Sequence, residues 1–291
     1  MPRVAYAQLA ASVVLFGLSF PILKIGLQAS TPVWLAAGRT TLSALSAFAL
    51  LLALGRLRWP RRADWPIVLS VGAFQLSLYF TFVNIGLQTV PPGRSGVLSY
   101  TALLWMVPLS LLVGERIGGR AVLGVLLGFG GIVVLMEPTR LDWNNRAVVE
   151  GHAWLLLAGL SWAIAILHAR RHRWQGTPLD VLPWQMSVAS LLLWSLAVLL
   201  EPRGHLDLGK CELWIALLYV GSFAGPIGTW AAVSVARALP PITGALGMLG
   251  TPLVGIAASA LLVGETITAS LLLGTALIIA GIAIVILDRK T

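Results

Sequence analysis

The chain has 291 residues, of which 58% are hydrophobic and only 11% charged, and its mean hydropathy is +0.89. Soluble domains carry about 45–50% apolar and about 25% charged residues, so charges this sparse cannot clothe a water-facing surface; a cytosolic enzyme and a disordered chain are both excluded. The net charge of +9 must then be read first for orientation in a membrane, before nucleic acid is considered.

A helix needs about 20 largely apolar residues to cross the hydrocarbon core. In chain order such stretches run over residues 6–27, 33–54, 65–88, 94–113, 121–137, 152–169, 180–200, 213–236, 241–263 and 269–287. They leave short loops and no room for a folded soluble domain. Runs such as 121–136, AVLGVLLGFGGIVVLM, lack the alternation of a barrel strand, so the spans are helices and the fold is an all-α membrane protein. The first span follows Arg3 as a secretory signal would, but its length and the Pro21 and Lys24 at its far end mark it as retained. The lone Cys211 cannot form an internal disulfide, and no Cys/His group has metal-ligand spacing, so neither metal nor cofactor is expected.

Orientation follows from the basic residues that flank the spans. With the N-terminus in the cytoplasm, that side holds Arg3, Arg56, Arg58, Arg61, Arg62, Arg116, Arg120, Arg170, Arg171, Arg173, Arg237, Arg289 and Lys290. The other side holds only Arg94, Arg140, Arg146, Arg203 and Lys210. Topology therefore accounts for the positive charge, both termini are cytoplasmic, and nucleic-acid binding is not needed. Trp34, Trp59, Trp65, Trp143, Trp174 and Trp214 near span ends fit interfacial anchors.

The two halves resemble each other at a nearly constant offset. Gly17-Leu18-Ser19-Phe20 matches Gly159-Leu160-Ser161-Trp162, and Val71-Gly72-Ala73-Phe74 matches Val220-Gly221-Ser222-Phe223. Pro91-Pro92 matches Pro240-Pro241, Leu112-Val113-Gly114-Glu115 matches Leu262-Val263-Gly264-Glu265, and Gly124 and Gly131-Ile132 match Gly274 and Gly281-Ile282. An odd number of spans per half turns the second copy upside down, with the Glu115 turn facing the cytoplasm and the Glu265 turn facing outward. Such inverted copies can open a central site alternately to each side.

Ten spans in two copies, a PPxxSGxL-like entry to the fourth span (Pro91, Pro92, Ser95, Gly96, Leu98) and the LVGE turns resemble the EamA family of the drug/metabolite transporter superfamily. The resemblance covers nearly the whole chain. It implies two inverted five-helix repeats, residues 1–140 and 150–291, with spans 1, 3, 4, 6, 8 and 9 around the cargo and spans 5 and 10 behind. Within the family the chain is similar to bacterial amino acid exporters, those of aromatic amino acids above all, which implies export across the bacterial inner membrane. A monomer suffices for this architecture, and the oligomeric state is open.

Polar and aromatic residues in the inner parts of the spans are the candidate cargo-binding groups: Ser19, Gln75, Tyr79, Tyr100, Trp105, Ser161, Trp162 and Trp230. Amides and hydroxyls can hold the charged ends of an amino acid, and aromatic faces can stack on a ring and attract an ammonium group. The plain alternative is that Trp and Tyr fill space between helices. Two cations fall within spans, Lys24 and the deeper Arg39; Lys24 is long enough to snorkel to the interface, whereas Arg39 should point inward. Pro21, Pro108, Pro226 and Pro252 each remove a helical hydrogen bond and are candidate hinges. Gly124/Gly128 and Gly221/Gly225 suit close helix packing. No Asp or Glu lies in the central part of any span, and Val14-Leu15-Phe16-Gly17 lacks the first-helix glutamate of small multidrug members of the superfamily. A neutral or zwitterionic solute with a carboxylate suits such a lining better than a cationic drug, although multidrug export is the competing transporter reading. A membrane enzyme is disfavoured, since the chain has no HExxH, no GxSxG and no paired buried carboxylates.

Overall fold

The structure, a computed structural model, describes residues 2–115, 117–138 and 143–288, the side chains of Pro2, Ala236, Arg237, Pro241, Ile242 and Asp288 apart. Of the residues used to orient the chain, Arg116, Arg140, Arg289, Lys290 and the Arg237 side chain lie outside this description.

Among the described residues, ten helices are long and apolar enough to cross a membrane. They are α1 (Arg3–Gly26), α2 (Pro32–Ala53), α3 (Arg62–Thr89), α4 (Pro92–Leu112), α5 (Gly119–Met136), α6 (Arg146–Arg171), α7 (Pro178–Leu200), α8 (Cys211–Val235), α9 (Thr243–Val263) and α10 (Ala269–Leu287). Extended pairing among these residues is confined to one isolated bridge, Ser30 with Leu206. Large apolar side chains such as Leu52, Leu126, Leu191, Leu199 and Leu261 face outward, the reverse of a soluble protein and the expected dress of a lipid-facing bundle. Helix α6 starts earlier than its apolar run, because the Asn145 side chain accepts a hydrogen bond from the Val148 amide and caps it. Helix α7 opens on a capping box in which the Thr177 and Asp180 side chains serve each other's backbone amides.

Several spans are not continuous α-helices. Helix α1 breaks at Leu18, between Pro2–Gly17 and Ser19–Gly26; α4 breaks at Tyr100 and Thr101; α9 breaks at Leu249. In α3 and α8 the segments Val71–Leu78 and Leu217–Ala224 widen into π turns. Proline explains three of these irregularities, since Pro21, Pro226 and Pro252 have no N–H for the carbonyl four residues back. The fourth proline, Pro108, sits inside the unbroken piece Ala102–Leu112. The α4 break has no proline. There the Tyr100 amide is shared between the Gly96 and Val97 carbonyls, and the Thr101 hydroxyl donates to the Leu98 carbonyl at 2.6 Å.

Packing between the halves is reciprocal. Helix α2 packs on α7, and α5 on α10; α1 packs on α8 and α9, as α6 packs on α3 and α4. The α5–α10 crossing is the tightest: a Cβ on Gly124 would stand 2.7 Å from the Gly281 carbonyl oxygen, and one on Gly281 would meet the backbone of Gly124 and Gly128. Both LVGE turns follow one rule. Gly114 and Gly264 take φ of 80° and 70°, a conformation that ends a helix cheaply only at glycine, and the chain then doubles back with the glutamate next in line. Glu265 meets the start of α4, while Glu115 follows its far end, so the two turns lie at opposite ends of the bundle.

Candidate functional site

A buried polar and aromatic grouping runs from α2 across α3 to α4 and α6. The Asn84 amide donates to the Pro32 carbonyl at 2.9 Å and sets α3 level with α2, so Arg39, two turns along α2, comes against Tyr79 and Phe80 of α3. The Arg39 guanidinium carbon stands 3.7 Å from the centroid of the Phe80 ring. Tyr79 in turn meets Trp162 of α6 edge to face, with ring centroids 4.5 Å apart and planes 75° from parallel. Ser99 and Tyr100, at the break in α4, are the other polar neighbours of Tyr79, and Tyr100 faces Thr251 beside the break in α9. Ser161 closes the irregular stretch of α3 by donating to the Phe74 carbonyl at 2.6 Å, an acceptor that the π turns make available; Gln75 is the next residue, half-buried.

The remaining candidates lie elsewhere. Lys24 is tied to the end of a neighbouring helix. Its ammonium donates to the Leu87 and Gln88 carbonyls, the latter at 2.9 Å, and so serves the C-terminal end of α3. Trp105 faces away from the grouping, against Phe129 of α5 and the Gly159 position of α6. Trp230 packs against the apolar cluster that holds Ala44, Leu51 and Met186 where α2, α3 and α7 meet, a cluster that Phe80 also borders. Ser19 bonds within its own helix, to the Leu15 carbonyl at 2.9 Å, which also accepts from the Tyr219 hydroxyl at 3.2 Å. The His168 and His172 side chains are used structurally, on Ser70 and Asp64.

The two ends of the bundle differ. At one end the Glu265 carboxylate accepts the Gly93 amide at 2.6 Å and the Arg94 amide at 3.3 Å, capping the first piece of α4, Pro92–Ser99. Arg94 pairs with Glu137 at 3.3 Å, and Glu137 also takes the Ser270 hydroxyl. Pro92–Ser99 is buried over nearly its whole length against α1 and α9. Burial pushes the Glu265 carboxyl above its ordinary value, and the two amides and the Arg94 charge offset only part of that. A depression of about 360 Å³ outside this contact is lined by Lys24, Pro92, Gly264 and Glu265 among others. At the other end, the corresponding piece of the second half, Pro241–Met248, packs chiefly on α1 and α10, and residues 243–248 are all half-exposed. There Glu115 pairs with Arg170 at 3.6 Å and Arg171 at 3.8 Å, and Arg56 with Asp180 at 2.8 Å. Sequence reasoning marked Glu265 as a repeat residue, but not as a cap on Gly93; it also passed over Phe80, Ser99 and Thr251, which carry no pattern beyond being apolar or small.

The profile of the EamA-like transporter family matches residues 3–137 and again 149–287. The chain belongs to the EamA-like transporter family. It is a membrane transporter and not an enzyme. This EamA-like transporter is 26% identical over 283 residues to a probable amino-acid metabolite efflux pump of Escherichia coli, covering 94% of this chain and 91% of that one. It is also 26% identical over 300 residues to a probable terminal-alkyne amino-acid exporter of Streptantibioticus cattleyicolor, covering 97% and 93%. A solved crystal structure aligns over 97% of each chain with a TM-score of 0.63 at 22% identity, a likeness of fold.

Proposed function

We propose that this membrane exporter of small metabolites carries amino acids, aromatic ones among them, across the bacterial inner membrane by alternating access. Its two halves, residues 1–140 and 150–291, are inverted five-helix repeats, and both termini lie in the cytoplasm with the Arg56 and Arg171 ends of the helices. The observation that carries this reading is the contrast between the two ends: Glu265 seals the start of α4, while the matching segment of α9 is half-exposed. That is the arrangement of a carrier caught open to one side, with the Tyr79–Trp162 grouping between the ends. The relatives named as amino-acid exporters support the cargo class.

Purified protein in proteoliposomes should take up radiolabelled phenylalanine saturably, and uptake should be accelerated by unlabelled phenylalanine on the opposite side. Flux of a broad amino acid panel no greater than in empty vesicles would count against the reading; increased tolerance of cells to cationic dyes, without amino acid flux, would favour multidrug export instead. Trp162→Ala removes the edge-to-face partner of Tyr79, a contact worth about 0.5–1.5 kcal/mol beyond burial, and should weaken half-saturation for phenylalanine about threefold to tenfold. Trp105→Ala, which alters packing on Phe129, should leave half-saturation unchanged in the protein that folds.

A further inference from the structure

Arg39 is 5% exposed, in the interior of a chain that has no acid in the central part of any span. Among the described residues it makes no hydrogen bond and no ion pair; its Nε is enclosed without a partner, and the guanidinium lies against the ring of Phe80 with Tyr79 beside it. A cation held this way is costly, because an aromatic face attracts the charge from one side but accepts few of the five N–H donors. A charged group in a membrane interior calls for a partner that completes it, in the protein or in what the protein binds. The other cation of the spans, Lys24, has its completion in the protein, the Leu87 and Gln88 carbonyls.

We infer that Arg39 is the anchor for the carboxylate of the cargo, with Tyr79 beside it and Tyr100 next to Tyr79. This rests on the exporter reading and deepens it to a substrate class: solutes that present a carboxylate, to the exclusion of their amides and decarboxylated amines. A guanidinium fork matches a planar carboxylate with two parallel hydrogen bonds. A phosphate dianion calls for more positive charge than one arginine, and Lys24, the other cation within a span, is engaged on α3. A free amine brought beside Arg39 would meet like charge.

The test is a ligand panel on purified protein in detergent, read as the shift in unfolding temperature, with the same compounds then used as competitors of uptake in proteoliposomes. The compounds are phenylalanine, leucine, phenylacetate, phenylalaninamide, phenethylamine, chloride and phosphate. The amino acids and phenylacetate should stabilise the wild type, and the amide and the amine should need at least tenfold higher concentration for the same shift. Arg39→Met should abolish the response to carboxylates. Without ligand it should unfold about 3 °C or more above the wild type, since it deletes an uncompensated charge and keeps an apolar stem on Phe80. Arg39→Lys keeps the charge without the fork and should retain a weakened response. Stabilisation by phenylacetate alone keeps the carboxylate site and removes the amino acid reading. The inference is overturned if amide and amine act as well as the acids, if chloride or phosphate does, if no carboxylate shifts the wild type, if Arg39→Met keeps the discrimination, or if ligand-free Arg39→Met is less stable than the wild type.

Discussion

Alanine in place of Glu265 is expected to open the end of the bundle that the structure holds shut. The carboxylate is the cap of Pro92–Ser99, and that segment packs against α1 and α9. Loss of an N-cap costs about 0.5–2 kcal/mol, and here two backbone amides lose their acceptor together, so a shift of about 2 kcal/mol toward the open form is expected. That corresponds to a change of roughly thirtyfold in the ratio of open to closed forms. Ser99 is buried in the closed arrangement. In a Cys211→Ser background, a cysteine at position 99 should react slowly with a membrane-impermeant thiol reagent, and many times faster once Glu265 is alanine. Equal rates in the two proteins would remove the capping role.

The same residue gives the pH dependence its sign. Burial holds the Glu265 carboxyl above its ordinary value, so the closed end favours the protonated group. The resulting advantage of the closed form is complete below the ordinary carboxylate value and is lost as pH rises through the raised one. Labelling at position 99 should therefore speed up with rising pH in the parent. Glu265→Gln should stay closed, since its amide oxygen still accepts from Gly93, and its labelling should be flat with pH.

The second large effect is on stability. Gly281→Leu puts a side chain where even a Cβ would lie 2.7 Å from the Gly128 amide nitrogen. That obstacle is backbone and cannot rotate aside, so α5 and α10 must separate along their whole crossing. Overpacking typically costs about 1–3 kcal/mol, and a site blocked by backbone should sit at the top of that range, near 3 kcal/mol. An unfolding temperature lower by about 6–12 °C, or failure to accumulate in the membrane, is the expected outcome. Gly130→Leu is the control, for a Cβ at Gly130 has nothing within 4 Å and should cost little. Similar losses for both substitutions would mean that helix propensity or expression, and not the crossing, sets the effect.

The spans were legible because charge is excluded from hydrocarbon: every stretch read from the sequence coincides with a helix to within its ends. What lay inside the spans was less so. The breaks at Leu18 and Leu249 have a proline within three residues, but transmembrane helices often tolerate proline, and Pro108 shows an unbroken one. The π turns of 71–78 and 217–224 leave no mark in an apolar run, and so the acceptor for Ser161, the Phe74 carbonyl, could not be foreseen. The site was legible as an inventory of residues rather than as a place. Tyr79 and Trp162 were both candidates, yet their meeting is a long-range contact that periodicity does not encode. Lys24 and Arg39 looked alike except for depth. Only the fold gives Lys24 its carbonyls and sets Arg39 of α2 against Phe80 of α3.

Alternation of the two ends is best tested by measuring two distances in one preparation. Spin labels at Thr89 and Thr266 report on the Glu265 end, and labels at Val113 and Thr243 on the opposite end; pulsed dipolar spectroscopy in lipid gives both distance distributions. Without amino acid the first pair should be short and narrow and the second long. Saturating phenylalanine should lengthen the first as it shortens the second. Two distances that stay fixed with cargo, or that lengthen together, would contradict a carrier that opens one end by closing the other.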